Sequence, residues 1–140
     1  MKAFTILLIA AIVFSLITYA QRYNPLSKTT KANMDTAQFN NPTVKKAIDA
    51  FQKGDKKAWY ALFTADAQLL DDGNKIDFKN FSEEAIGHEH FTSFDKIEHN
   101  GLHIYGKFHS DKWGNFKTYF KFTINKDGKI NVLEIGQAKY

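Results

Sequence analysis

The side chains able to move protons gather in the middle of this sequence. Asp66, Asp71 and Asp72 stand between Trp59-Tyr60 and the run Gly87-His88-Glu89-His90. A histidine and a carboxylate brought together in an apolar pocket could act as general base and general acid for a dehydration or a hydrolysis. Asp71 and His88 are the candidate catalytic residues, with Asp66, Trp59, Tyr60 and His90 near enough in sequence to help. Each has a simpler competing reading. Asp71, beside Asp72, could be a strand-end carboxylate accepting turn amides before Gly73, and Asp66 a helix-exit acid doing the same. Trp59 shares helical spacing with Leu62 and Phe63, which points to the core. The five His residues come closest to a metal set at His88-Glu89-His90. Residues two apart on a helix point in nearly opposite directions, so neither a metal nor another cofactor is expected. The absence of Cys excludes a thiol nucleophile, Cys-ligated zinc, Fe–S clusters and disulfides.

The elements that must position these residues read clearly at the start. Asn41 can cap a helix whose first-turn Pro42 needs no amide partner, and Val44, Ala47, Ile48 and Phe51 follow at helical spacing. Lys53-Gly54-Asp55 ends that helix and starts a second carrying Trp59. Alternation then takes over. Ala67, Leu69 and Asp71 share one strand face until Asp72-Gly73-Asn74 turns the chain. Ile76 to Phe81 reads as a further short strand, Ser82 to Ile86 as a turn or a helical start, and His88 to Phe94 as a third helix burying Phe91 and Phe94. The last third alternates throughout. Leu102, Ile104, Gly106 and Phe108 oppose His103, Tyr105, Lys107 and His109, and Phe116 to Ile124 repeats the pattern. Asn125-Lys126-Asp127-Gly128 then forms a hairpin loop before Ile130 to Gln137. Helices first and an antiparallel meander last make an α+β domain.

The 140 residues suffice for one domain and a short extra segment, and 13 Phe with 6 Tyr supply a core. Lys2 is the only charge among the first twenty residues, and Phe4 to Ile17 is almost unbroken apolar sequence ending at Thr18-Tyr19-Ala20. This is the layout of an export signal, cleaved after Ala20; the alternative is an uncleaved N-terminal anchor. Residues 21–41 read as a flexible polar spacer. Export without disulfides leaves stability to the core and leans towards a bacterial envelope, so the expected location is secreted or periplasmic, or membrane-anchored if the segment is retained. A net charge of +4 with scattered lysines and no stripe of Arg among aromatics makes nucleic acid an unlikely partner.

Four stretches carry a resemblance over about Val44 to Gln137. They are Phe51-Gln52-Lys53-Gly54-Asp55, Ala61-Leu62-Phe63-Thr64-Ala65-Asp66-Ala67, Gly87-His88-Glu89-His90-Phe91-Thr92-Ser93-Phe94, and the closing strands with Asp127-Gly128-Lys129-Ile130. In this order they resemble the nuclear transport factor 2-like superfamily, with its SnoaL-like and ketosteroid isomerase branches. The resemblance implies a cone-shaped, strongly curved, mostly antiparallel sheet wrapped around about three N-terminal helices, a pocket between them, and a homodimer through the outer sheet face. The isomerase branch uses an Asp base with a Tyr and a protonated Asp on the enolate oxygen. Matching Ala61 to Asp72 without gaps sets Asp71 at the position of the base, but Ala47 and Phe120 stand where the two donors would be. One such donor can be worth about 3 kcal/mol of barrier, so steroid-type isomerisation is not expected. The stretch from Asp71 to Gly87 is longer than the isomerase pattern, which should alter the pocket mouth.

The expectation is a domain over residues 42–140 with a pocket lined by Trp59, Tyr60, Asp66, Asp71, Phe91 and Phe120. Its function would be that of an exported non-catalytic module binding a small apolar ligand or a protein partner. A lyase- or isomerase-type enzyme using Asp71 as general base and a membrane-anchored assembly factor are the alternatives.

Overall fold

The computed structural model describes residues 38–140. The expected export segment and the spacer as far as residue 37 lie outside the described residues. Asn41 caps α1 (Pro42–Lys53), its side-chain oxygen accepting from the amides of Thr43 and Val44, both at 3.1 Å. Val44, Ala47, Ile48 and Phe51 bury one face of α1, as their spacing requires. Gly54 closes the helix at φ 72°, a left-handed conformation in which a Cβ would be strained. Asp55 then accepts from Ala58 N at 2.9 Å and starts α2 (Lys56–Tyr60). Phe39, which the sequence places in the spacer, is buried, with its ring edge-on to Phe94 at 4.9 Å. The packed region therefore begins ahead of Asn41, because this ring finds an apolar partner on the sheet.

Strand β1 (Phe63–Asp71) turns through Asp72-Gly73 into β2 (Asn74–Ile76). Two expectations then fail. The strand expected over Ile76 to Phe81 is only its first residue; the rest belongs to helix α3 (Phe78–Ala85), capped by Asp77, which accepts from Asn80 N at 2.6 Å. The helix expected over His88 to Phe94 lies instead in β3 (Glu89–Glu98). The third helix thus exists, but one element earlier. Local capping by Asp77 and the face Phe78, Phe81, Ser82, Ala85 decide for helix, while pairing with the next strand decides for β3.

The chain continues through β4 (His103–Ser110), β5 (Gly114–Ile124) and β6 (Ile130–Gln137), as the alternation predicts. The strand order is β2-β1-β6-β5-β4-β3. Every neighbouring pair is antiparallel except β1 and β6. The route explains the exception. From β2 the chain crosses through α3 to the far edge and returns as a meander, so β6 arrives beside β1 running the same way. The fold is α+β with a mixed six-stranded sheet, and its helices are not all N-terminal to the strands.

Phe51 of α1 joins helices to sheet, with its ring centre 5.3 Å from Trp59, 6.0 Å from Phe108 and 5.4 Å from Phe120. Gln52 fastens the same helix to the edge strand. It accepts from Phe91 N at 2.7 Å and donates to Phe91 O at 3.0 Å, beside a register shift in β3 where the main chain needs outside partners. Among the described residues no helix is long and apolar enough to cross a membrane.

Candidate functional site

Cross-strand register fixes what the inner sheet face presents. Asp71 is opposite Ile135, Ile135 opposite Phe120, Phe108 opposite Phe116, and Glu89 opposite Ser110. Residues directly opposite in a ladder share a face. That face and α3 border a half-open cavity of about 850 Å³. Phe116, half-buried, and the nearly buried Phe108, Phe120 and Ile135 form its apolar floor, and Phe81 and Ala85 of α3 form a wall. Asp71, Glu84, Glu89, Asp111, Lys112 and Trp113 stand among the polar and exposed groups around it. The stretch between Asp71 and Gly87 supplies α3 and with it this wall.

Two of the six expected pocket residues, Asp71 and Phe120, line the cavity, as does the catalytic candidate His88. The other four lie elsewhere. Trp59 has 0% of its surface exposed and donates from Nε1 to Ser82 Oγ at 3.0 Å, tying α2 to α3. Tyr60 does not line the cavity and donates to Glu83 Oε1 at 2.8 Å, and Asp66 is exposed on β1. Phe91 is packed in the core against Phe108 and Phe120 at 5.0 Å each. Core packing thus claims the two large rings, and Asp66 falls in the irregular stretch of β1 between Phe63 and Gln68, outside the row that ends in Asp71.

His88 does find a carboxylate, but it is that of Asp111: Nδ1 lies 3.1 Å from Oδ2, and both side chains are largely exposed. His109 Nε2 approaches the other Asp111 oxygen at 3.6 Å. His90 lies on the opposite sheet face from Glu89, opposite His109, its ring centre 5.4 Å from that of His109. Among the described residues no three His, Asp or Glu side chains are grouped to hold a metal ion.

Glu89 is the site residue that sequence reasoning missed. Burial raises its carboxyl pKa above the usual value, the Ser110 hydroxyl opposes that rise, and the charges of Asp111, Asp71 and Glu84 reinforce it. Asp71 is open to solvent along part of its side chain. Burial of its carboxyl against the cavity wall, and after that the charge of Asp72, still raise its pKa. Two carboxyls biased towards holding a proton can exchange one with a bound molecule. Two positions that could serve a developing oxyanion are already committed or apolar. The Thr118 hydroxyl is engaged with Gly136 O at 2.8 Å, and Phe120 lines the cavity with an apolar ring. Asp72 receives the Tyr119 hydroxyl at 3.3 Å, in a space that exists because residue 136 is glycine; a Cβ there would collide with both groups. Burial first, then the charges of Glu134 and Asp72, and last the hydrogen bonds to both, push the Tyr119 pKa up to about 12.

No protein-family model and no curated protein matches the sequence. Solved structures do. A nuclear transport factor 2-like protein of unknown function from Cytophaga hutchinsonii superposes with a TM-score of 0.55 at 10% identity, over 69% of this chain and 87% of that one. A protein of unknown function with a cystatin-like fold from Xanthomonas campestris gives 0.55 at 16% identity, over 69% and 88%. The orange carotenoid protein of Anabaena (Nostoc), binding canthaxanthin, gives 0.54 at 19% identity; the match covers 73% of this chain but 40% of that protein. The chain has the nuclear transport factor 2-like fold.

Proposed function

We propose that this protein is an exported, non-catalytic module of nuclear transport factor 2-like type whose cavity holds a small ligand with an apolar body. One observation carries the reading: about 850 Å³ of space remains between α3 and the inner sheet face, floored by phenylalanine rings. This volume falls in the range of small-molecule sites, about 300–1,000 Å³. The match to part of a canthaxanthin-binding protein supports a ligand for this fold. Export rests on the apolar run Phe4 to Ile17, and a homodimer would use the outer sheet face with Tyr105 and Tyr119.

Native mass spectrometry of the purified protein tests these points together. The expected spectrum shows a chain beginning at Gln21, a retained small molecule lost on unfolding, and two subunits. A chain that keeps residues 1–20 would favour the anchored assembly factor instead. Failure of any apolar small molecule to be retained or to bind on addition overturns the ligand reading.

The raised pKa values of Asp71 and Glu89 favour a second reading, a lyase- or isomerase-type enzyme with Asp71 as base. The partner to Asp71 in that chemistry would be Glu89 rather than His88. Ala47 and Phe120, standing where the resemblance would put the two oxyanion donors, set this reading behind the first.

A further inference from the structure

Negative charge collects at the cavity although the chain as a whole carries +4. Its lining includes Asp71, Asp72, Glu83, Glu84, Glu89 and Asp111, against Lys112 as the sole lysine among the lining residues. Half of these carboxylates are answered inside the protein. Glu83 takes Lys56 at 2.7 Å and Tyr60, Asp72 takes Tyr119, and Asp111 takes His88 and His109. Asp71, Glu84 and Glu89 are not paired with any cation among the described residues. Glu84 accepts only from the Asn80 amide at 3.2 Å, and Glu89 from the Ser110 hydroxyl. Carboxylates crowded at an apolar surface repel one another, and a cation placed between them relieves that repulsion.

The rim holds a second feature with no role inside the fold. Trp113, in the turn between β4 and β5, is 70% exposed while lining the cavity. Its ring already receives an ammonium group, the Lys112 Nζ lying 4.8 Å from the ring centre. An indole left in water at a pocket mouth gains contact area when a bound molecule covers it, and its face attracts cations.

We propose that the cavity takes an amphiphilic organic cation. Its apolar body lies against Phe108, Phe116 and Phe120, its ammonium group sits among Asp71, Glu84 and Glu89, and Trp113 packs over it. The inference rests on the ligand-cavity reading above and adds the charge of the ligand. Three probes sharing one chain and differing in the head separate the two: octyltrimethylammonium, 1-octanol and octyl sulfate, titrated into the purified protein by calorimetry at neutral pH and low salt. The cation should bind at least about tenfold more tightly than the alcohol, and the sulfate more weakly than either, with the advantage shrinking as salt is added. Asp71→Asn and Glu89→Gln should each cut the cation's affinity about tenfold and leave the alcohol unchanged, whereas Asp127→Asn in the distant β5–β6 hairpin changes neither. Thermal unfolding confirms that each variant is folded. Equal affinity for all three probes would overturn the cationic ligand and leave the cavity reading standing. Absence of binding by all three would overturn both.

Discussion

Glu89 makes stability depend on pH in a direction opposite to that of most carboxylates. Burial and the neighbouring charges of Asp111, Asp71 and Glu84 raise its pKa from the ordinary 4.5. The folded protein therefore retains a proton there that the unfolded chain has already released. Below the unfolded value both states are protonated and the group is neutral towards folding. As pH climbs through the ordinary value the unfolded state is favoured progressively, and the loss is complete above the raised folded value. Glu89→Gln abolishes this titration and keeps a hydrogen-bonding group near Ser110. Urea unfolding should find the variant gaining on the parent as pH rises from the ordinary carboxylate value through the raised folded value. A difference that stays constant with pH would show that Glu89 titrates as a free carboxyl. The place of Asp71 on the inner face was legible because a period of two needs only local sequence. The partner of His88 was not: Asp111 is 23 residues away, in a turn brought close only by the β3–β4 pairing.

α3 shows where local signals were present and misweighed. Asp77 lies at a capping position, and Phe78, Phe81, Ser82 and Ala85 repeat at helical spacing. The short apolar stretch from Ile76 also fits a strand, and β2 does end at Ile76. Over His88 to Phe94 Phe91 and Phe94 fit a helical spacing, while Glu89 and Phe91 alternate against His90 and Thr92 as a strand. Strand pairing overrode the helical reading, and that error hid Glu89. The parallel contact of β1 with β6 left no trace in sequence, since it joins segments about sixty residues apart in a fold whose meander dictates it. Asp77→Ala tests α3 as an element. Loss of the cap should cost about 1 kcal/mol of stability, and amide exchange should accelerate most in residues 78–85 because the cavity beside them leaves one side of the helix without packing. Uniform acceleration across the sheet would mean that α3 opens only with the whole domain.

The molecule as a whole must reconcile a packed core with an unfilled space, and it has no disulfide to help. The division falls within a single set of phenylalanines. Phe51 is 1% exposed and touches rings from α2, β4 and β5, so it belongs to the part that holds helices and sheet together. Phe116 is half-buried, its ring centre 5.6 Å from that of Phe108, and part of its surface faces the cavity. Truncating a fully packed ring leaves a void and typically costs about 3–5 kcal/mol. A domain of this size has roughly 5–15 kcal/mol in all, so Phe51→Ala should leave the protein at the margin of folding. Phe116→Ala removes about half the buried area and enlarges a space that already exists, which should cost roughly 1 kcal/mol. The same variant should weaken binding of an octyl chain by a comparable amount, because the floor loses the ring that the chain would cover. Denaturation midpoints and the octanol titration measure both effects on one preparation. If Phe116→Ala proves as costly as Phe51→Ala, the inner face is closed in solution. The space between α3 and the sheet would then be core rather than a site.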